Sequence, residues 1–208
     1  MKSLVARTAP WYRRAVLLYD RAYRLMHGLD RPASRLGPML RVERRRLLRA
    51  LRLADGTRLG RGARIGVLHL DNPRALALHG GGLHPIAIGL EFRRLFLASL
   101  RSVAAQATEG GPLASLQAYS VATLFHRQLP KLGFAPAPGD RSIWRPLVTR
   151  YERALLRSLH PTGSARLGRG TRREAQRLWI SREALLTRFR VTDVTEGRRR
   201  PLTTARRR

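Results

Sequence analysis

The feature that most constrains the fold is a change in the spacing of apolar residues along the chain. After Pro10, apolar residues recur every three or four positions, which is the period of an amphipathic helix. They are Trp11, Ala15, Leu18, Ala22 and Leu25, with an adjoining stripe that includes Val16 and Tyr23. We expect this first helix to bury a broad face and to end at Gly28.

Short segments of β type follow the first helix. Residues 39–42 and 65–70 predict strands, and Leu51 and Leu53 lie beside a turn at residues 54–57. The later segments predict, in order, a helix at 85–105, a strand at 116–120, a helix at 123–132, a helix at 144–159, an edge strand at 177–180 and a last helix that Ser181 caps and that ends at Phe189. The expected fold is α+β: a small mixed sheet covered by several amphipathic helices, in a single domain over residues 1–190.

The charge of the chain is strongly positive. There are 42 Lys and Arg against 13 Asp and Glu, a formal net charge of +29, and Lys2 and Lys131 are the only lysines. The arginine excess reflects either the codon usage of a G+C-rich genome or a means of gripping phosphates and carboxylates. It predicts weak, salt-sensitive nucleic-acid binding, although no helix-turn-helix or RNA-recognition pattern accompanies it. Residues 191–208 are basic and predict a disordered tail.

Several classes of protein lose their usual sequence support. The chain has no cysteine, which excludes disulfides and thiolate zinc sites, and it has no phosphate-binding loop, no His-Glu-x-x-His helix and no Gly-x-Ser-x-Gly elbow. We therefore expect no metal and no cofactor. Arginines interrupt the apolar residues of the first segment, and no long apolar run is present. We accordingly expect a cytoplasmic protein without a transmembrane segment.

The most suggestive polar group is His69, Asp71 and Asn72, at the end of a predicted strand. Strand alternation places His69 and Asp71 on one side, where a carboxylate can orient an imidazole for ligand binding or for acid–base work. A structural role, with Asp71 capping the next segment and His69 satisfying a hydrogen bond in the core, is the preferred interpretation.

Four further residues are ligand-binding candidates. Glu91 and Arg94 lie on the predicted helix at 85–105, as an acid–base or orienting pair or as an ordinary ion pair. His126 and Arg127 follow the strand near residue 120, where a helix start can bind an anion, although a packed histidine is the more frequent case. An enzyme would have to use His69 with Asp71, or His126 with Glu91, and this is the least supported alternative.

The order of segments resembles the YkoP-like domain family. The resemblance runs from Trp11 to Phe189, and its strongest part is the block His69-Leu70-Asp71-Asn72 followed by the long helix. It implies a bacterial domain that occurs alone or beside polysaccharide deacetylase and glycosyltransferase proteins. The expected function is therefore a non-catalytic accessory or binding protein in envelope polysaccharide metabolism, whose partner is an acidic or carbohydrate-linked ligand or an envelope polysaccharide enzyme. Sequence-nonspecific nucleic-acid binding is the alternative.

Overall fold

The computed structural model describes residues 10–80, 84–124, 126–140, 145–159 and 174–190. Helices and strands are interspersed along the chain. The helices are α1 (Pro10–Met26), α2 (Asn72–Gly80), α3 (Pro85–Gln106), α4 (Arg145–Leu159) and α5 (Arg182–Phe189), with short 3-10 helices at Pro32–Ser34 and His126–Leu132. The predicted basic tail lies outside the described residues.

A five-stranded mixed sheet forms the centre of the domain. Its strands are β1 (Arg35–Leu36), β2 (Leu40–Arg46), β5 (Arg64–Leu70), β6 (Ala118–Thr123) and β7 (Gln176–Ser181), in the spatial order β1-β2-β5-β6-β7. Strands β5 and β6 are parallel, and the other neighbours are antiparallel. Strands β3 (Leu51–Arg52) and β4 (Arg58–Leu59) form a separate hairpin. The expected α+β class and mixed sheet are confirmed.

One face of the sheet carries the main core. Leu40, Val42 and Leu68 lie on this face and belong to the buried cluster that α3 and α5 complete. The Tyr119 ring from β6 lies directly over Gly66 of β5, since a Cβ at Gly66 would come within 2.6 Å of Tyr119 Cδ1. The close packing of β5 against β6 therefore requires glycine at this position.

The opposite face is apolar at one end and polar at the other. At the apolar end, Ile65 packs with Trp179 and with residues of the β3–β4 hairpin. At the polar end, alternate residues of β2 (Arg41, Glu43 and Arg45) project toward the C-terminal end of α1 and the turn that follows it. Helix α4 packs beside α1. This polar end holds the candidate site.

The predicted burial of α1 is wrong for its main apolar stripe and right for Val16 and Tyr23 of the adjoining stripe. All five residues of the predicted stripe are exposed, with Trp11 and Leu18 at 70% and Leu25 at 63%, whereas Val16 and Asp20 are buried. The part of the sheet that α1 covers carries charged side chains, and the helix accordingly turns its Asp20 side inward. Apolar periodicity found the helix but not the direction that it faces.

One local prediction is confirmed and another needs correction. The segment after β5 is helix α2, and Asp71 caps it as expected, with Oδ1 accepting a hydrogen bond from the Arg74 backbone N–H at 3.4 Å. The predicted helix at 123–132 is a 3-10 helix over His126–Leu132 that contains Pro130. Proline lacks the N–H that an α-helix interior needs, which explains the change of type. Among the described helices, none combines the length and the apolarity that crossing a bilayer requires.

Candidate ligand-binding site

Glu43 lies at the centre of a polar group that we call the Glu43 cluster: Tyr23, His27, Glu43, Arg45 and His69. In the β2–β5 register Glu43 pairs with Val67 and Arg41 pairs with His69, so Glu43 and His69 are diagonal neighbours on one face. Their contact, His69 Nε2 to Glu43 Oε2, is 3.1 Å. His27, just after the end of α1, places Nδ1 2.8 Å from Glu43 Oε1, and Arg45 Nε donates to the same oxygen at 2.5 Å.

The Glu43 side chain is held as a carboxylate. Burial alone would raise the pKa of Glu43, but hydrogen bonds from His69, Arg45 and His27 outweigh burial and lower the pKa to about 2. An ionised carboxylate only accepts hydrogen bonds. The 2.8 Å contact with Glu43 requires a proton on His27 Nδ1, and the 3.1 Å contact requires one on His69 Nε2. With Nδ1 protonated, the 3.3 Å approach of Arg45 Nη2 to His27 Nδ1 is not a hydrogen bond. A neutral ring then keeps an acceptor at His27 Nε2 and at His69 Nδ1.

Tyr23 gives the cluster an aromatic wall. Its ring lies over the His27 ring, with centroids 4.1 Å apart, and 5.8 Å from the His69 ring. Burial, and next the charge of Glu43, raise the pKa of Tyr23, which keeps the phenol neutral. The Glu43 side chain is 10% exposed, whereas those of His27, Arg45 and His69 are 29%, 43% and 22% exposed. The Glu43 carboxylate is thus buried, and the three nitrogen-bearing side chains bonded to it extend from it to solvent.

Asp20 ties α1 to its neighbours beside the cluster. Its Oδ1 accepts hydrogen bonds from Tyr151 of α4 at 2.9 Å and from the Asn72 amide at 2.8 Å, and its Oδ2 lies 3.2 Å from Arg24 Nε. Burial and the neighbouring Asp20 charge raise the pKa of Tyr151. The Tyr151 ring packs against Tyr23 at a centroid distance of 6.3 Å. The Asn72 amide therefore has a structural role, because its hydrogen bond to Asp20 joins the start of α2 to α1.

Asp71 bonds to Arg41. The Arg41 Nη2 and Nε groups donate to Asp71 Oδ2 at 2.8 and 3.1 Å, and Arg41 Nη1 donates to the Leu29 carbonyl at 2.6 Å. Both Arg41 and Asp71 are buried. The expected pair of His69 with Asp71 is not formed: the alternation places both on one face, but each takes its partner from β2.

The other sequence candidates lie apart from the cluster or have different partners. Glu91 and Arg94 pair with each other on α3 at 2.6 and 2.7 Å, so Glu91 does not partner His126. His126 and Arg127 lie in the 3-10 helix after β6, where His126 Nδ1 is buried with no hydrogen-bond partner among the described residues. Of the sequence candidates, His69 thus belongs to the Glu43 cluster. Asp71 and Asn72 take separate partners, Arg41 and Asp20. The other four lie on α3 and in the 3-10 helix after β6.

Sequence analysis missed Tyr23, His27, Glu43 and Arg45. The available signal was the alternation of charged residues at positions 41, 43 and 45, because period two in a strand places them on one face.

Within the described ranges, no three His, Asp or Glu side chains are arranged to hold a metal ion. In the Glu43 cluster the two imidazoles bond to different oxygens of the Glu43 carboxylate, so hydrogen bonds hold the cluster together.

Comparison with known proteins gives one result. The sequence profile of the YkoP domain matches residues 10–189. No curated protein and no solved structure matches the chain. The matched range extends from α1 to α5 and includes every residue of the Glu43 cluster.

Proposed function

The chain belongs to the YkoP domain family, and on that basis we propose that it is a non-catalytic accessory or binding protein. Its ligand is acidic or carbohydrate-linked and belongs to bacterial envelope polysaccharide metabolism, and its location is the cytoplasm. The observation that carries the proposal is the Glu43 cluster, in which His27, Arg45 and His69 surround a buried carboxylate and reach solvent beside the Tyr23 ring.

The cluster suits a ligand with sugar hydroxyls and an acidic group. Arg45 offers guanidinium N–H groups to a carboxylate or phosphate, and the free imidazole nitrogens accept hydrogen bonds from hydroxyls. The Tyr23 ring offers an apolar surface with a polar edge. Because Glu43 already holds both imidazoles in place, the site is ordered before the ligand arrives, which lowers the entropic cost of binding.

A non-catalytic role is supported by the state of Glu43. A general acid or base works best when its pKa lies near the operating pH, and the pKa of Glu43 is about 2. In both histidine–acid pairs that an enzyme would have used, His69 with Asp71 and His126 with Glu91, the acid bonds to an arginine instead. Glu43 acts by orienting the imidazoles.

Acid–base catalysis is the second candidate, favoured by the 3.1 Å contact between Glu43 and His69. A carboxylate on one nitrogen of an imidazole orients the ring and raises its basicity at the other. Incubation with a uronic-acid tetrasaccharide or a nucleotide sugar, followed by mass spectrometry, separates the two functions. Conversion by the wild type that is lost in His69→Gln establishes the enzyme.

The binding test uses three probes: a neutral N-acetylglucosamine tetrasaccharide, a uronic-acid tetrasaccharide and UDP-N-acetylglucosamine. Calorimetry on the wild type should show binding of at least one, and Arg45→Gln should weaken it about ten-fold, the value of one charge-assisted hydrogen bond. The matched control is Arg94→Gln, which likewise removes an arginine from an ion pair with a glutamate but does so on the exposed surface of α3. Equal affinities for the wild type and Arg45→Gln would contradict the proposal.

Weak nucleic-acid binding is proposed as a separate consequence of the net charge of +29. It should appear at low salt and fall steeply as salt rises, because binding releases counterions. Titration of a random-sequence DNA oligonucleotide at several salt concentrations measures it. Tight binding at physiological salt with a preference for one nucleic acid would make nucleic-acid binding the main function.

A further inference from the structure

Six of the ten large apolar side chains that are exposed in the described part of the chain lie on α1. Leu18, Leu25 and Met26 are 70%, 63% and 74% exposed, and Trp11 at the start of the helix is 70% exposed. Trp11, Leu18 and Leu25 recur every seven residues, which places them in one line along the helix. A helix of 17 residues is about 25 Å long. We call this line the α1 ridge.

Arginines flank the α1 ridge, and α1 itself carries no exposed acid. Arg14 and Arg21 are exposed and precede Leu18 and Leu25 by four residues, which makes each a direct neighbour of a ridge residue. The only acid of α1 is Asp20, and it is buried and bonded to Tyr151 and Asn72. The outward side of the helix therefore combines protruding apolar groups with positive charge alone.

We propose that the α1 ridge binds the surface of an anionic lipid bilayer, with Leu18 and Leu25 inserted at the boundary between headgroups and acyl chains and with Arg14 and Arg21 on the lipid phosphates. A helix with an apolar face and basic flanks lies in the plane of such an interface. An indole ring at the end of the ridge occupies the headgroup level, where Trp is enriched. This role does not depend on the Glu43 cluster.

Two features favour a bilayer over a second copy of this chain. Pairing with a second copy of α1 would place Arg14 and Arg21 near the same arginines of the partner, without an exposed acid on the helix to offset them. The ridge side chains also protrude, and a lipid interface accepts protruding side chains without a matching pocket. A bilayer with anionic headgroups satisfies both the charge and the shape.

Co-sedimentation of the full chain with vesicles at physiological ionic strength tests the proposal. The wild type should bind vesicles of phosphatidylcholine mixed with phosphatidylglycerol much more strongly than phosphatidylcholine alone. Leu18→Ser/Leu25→Ser should weaken binding at least about ten-fold, and Arg14→Gln/Arg21→Gln about five-fold for each arginine removed. These positions are exposed, so the melting temperatures should not change.

Matched controls separate the α1 ridge from general charge. Leu48→Ser removes a leucine that is 83% exposed outside α1, and Arg93→Gln/Arg101→Gln removes the same charge from exposed positions of α3. Both should change binding by less than about two-fold, because Leu48 lies outside α1 and because α3 packs on the opposite face of the sheet from α1. Two results would overturn the proposal. One is vesicle binding by Leu18→Ser/Leu25→Ser that equals that of the wild type. The other is a wild type that does not bind vesicles but forms a dimer, with Leu18→Ser/Leu25→Ser a monomer.

Discussion

Replacement of Glu43 by Gln should remove stability that depends on pH in a defined way. The pKa of Glu43 falls from 4.5 to about 2 in the folded chain. Each pKa unit corresponds to about 1.4 kcal/mol, so the full difference is roughly 3 kcal/mol before solvent screening at the exposed Arg45 is taken into account. We expect Glu43→Gln to lower the free energy of unfolding at pH 7 by about 2 to 3 kcal/mol.

The sign of the pH dependence follows from the lowered pKa. The contribution of Glu43 is complete above its unfolded pKa of 4.5 and is lost as pH falls toward about 2. The part of the difference between wild type and Glu43→Gln that comes from the titration of Glu43 should therefore be complete above about pH 5.5, fall by more than half by about pH 3, and vanish below the folded pKa.

Urea unfolding at a series of pH values measures this difference directly. Glu91→Gln is the control, because Glu91 accepts hydrogen bonds from Arg94 in an exposed ion pair, and its unfolding midpoint should match that of the wild type. A wild type and Glu43→Gln of equal stability at pH 7, or a difference that persists unchanged at pH 3, would refute the argument that hydrogen bonds hold Glu43 ionised.

Three further predictions concern the scaffold around the site. Gly66→Ala should lower the free energy of unfolding by roughly 1 to 3 kcal/mol in urea titration, because the added Cβ would lie 2.6 Å from Tyr119 Cδ1; an unchanged midpoint would contradict the close packing. Asp71→Asn should cost about 1 to 3 kcal/mol in thermal melts, because it weakens the buried bonds from Arg41. Truncation after Thr195 should leave the melting temperature and solubility unchanged, because the basic tail has too few apolar residues to form a core; a large drop would make the tail structural.

Local signals were sufficient for much of the fold. The Ser181 cap was predictable because capping depends on residues close in sequence, and Ser181 Oγ indeed accepts from the Ala184 backbone N–H at 3.1 Å. The strand at 65–70 and the helices α3 and α4 were predictable for a similar reason, since apolar period reports secondary structure directly.

The partners at the candidate site were not predictable in that way. His69 bonds to Glu43 across 26 residues of sequence, and Asp71 bonds to Arg41 across 30. These pairs follow from the register of β2 against β5, which no local pattern specifies. The outward turn of α1 has the same origin, because it depends on the charged end of a sheet that other segments build.

The central claim is that the Glu43 cluster binds the ligand, and the nitrogen resonances of its imidazoles test it most directly. Long-range proton–nitrogen NMR spectra of the wild type should show the Nδ1–H form for His27 and the Nε2–H form for His69. Addition of the tetrasaccharide or nucleotide-sugar probe that binds in calorimetry should shift His27 Nε2 and His69 Nδ1 while the His126 resonances stay in place. Saturating probe that leaves both of these imidazoles unchanged, with shifts confined to another part of the domain, would contradict the claim.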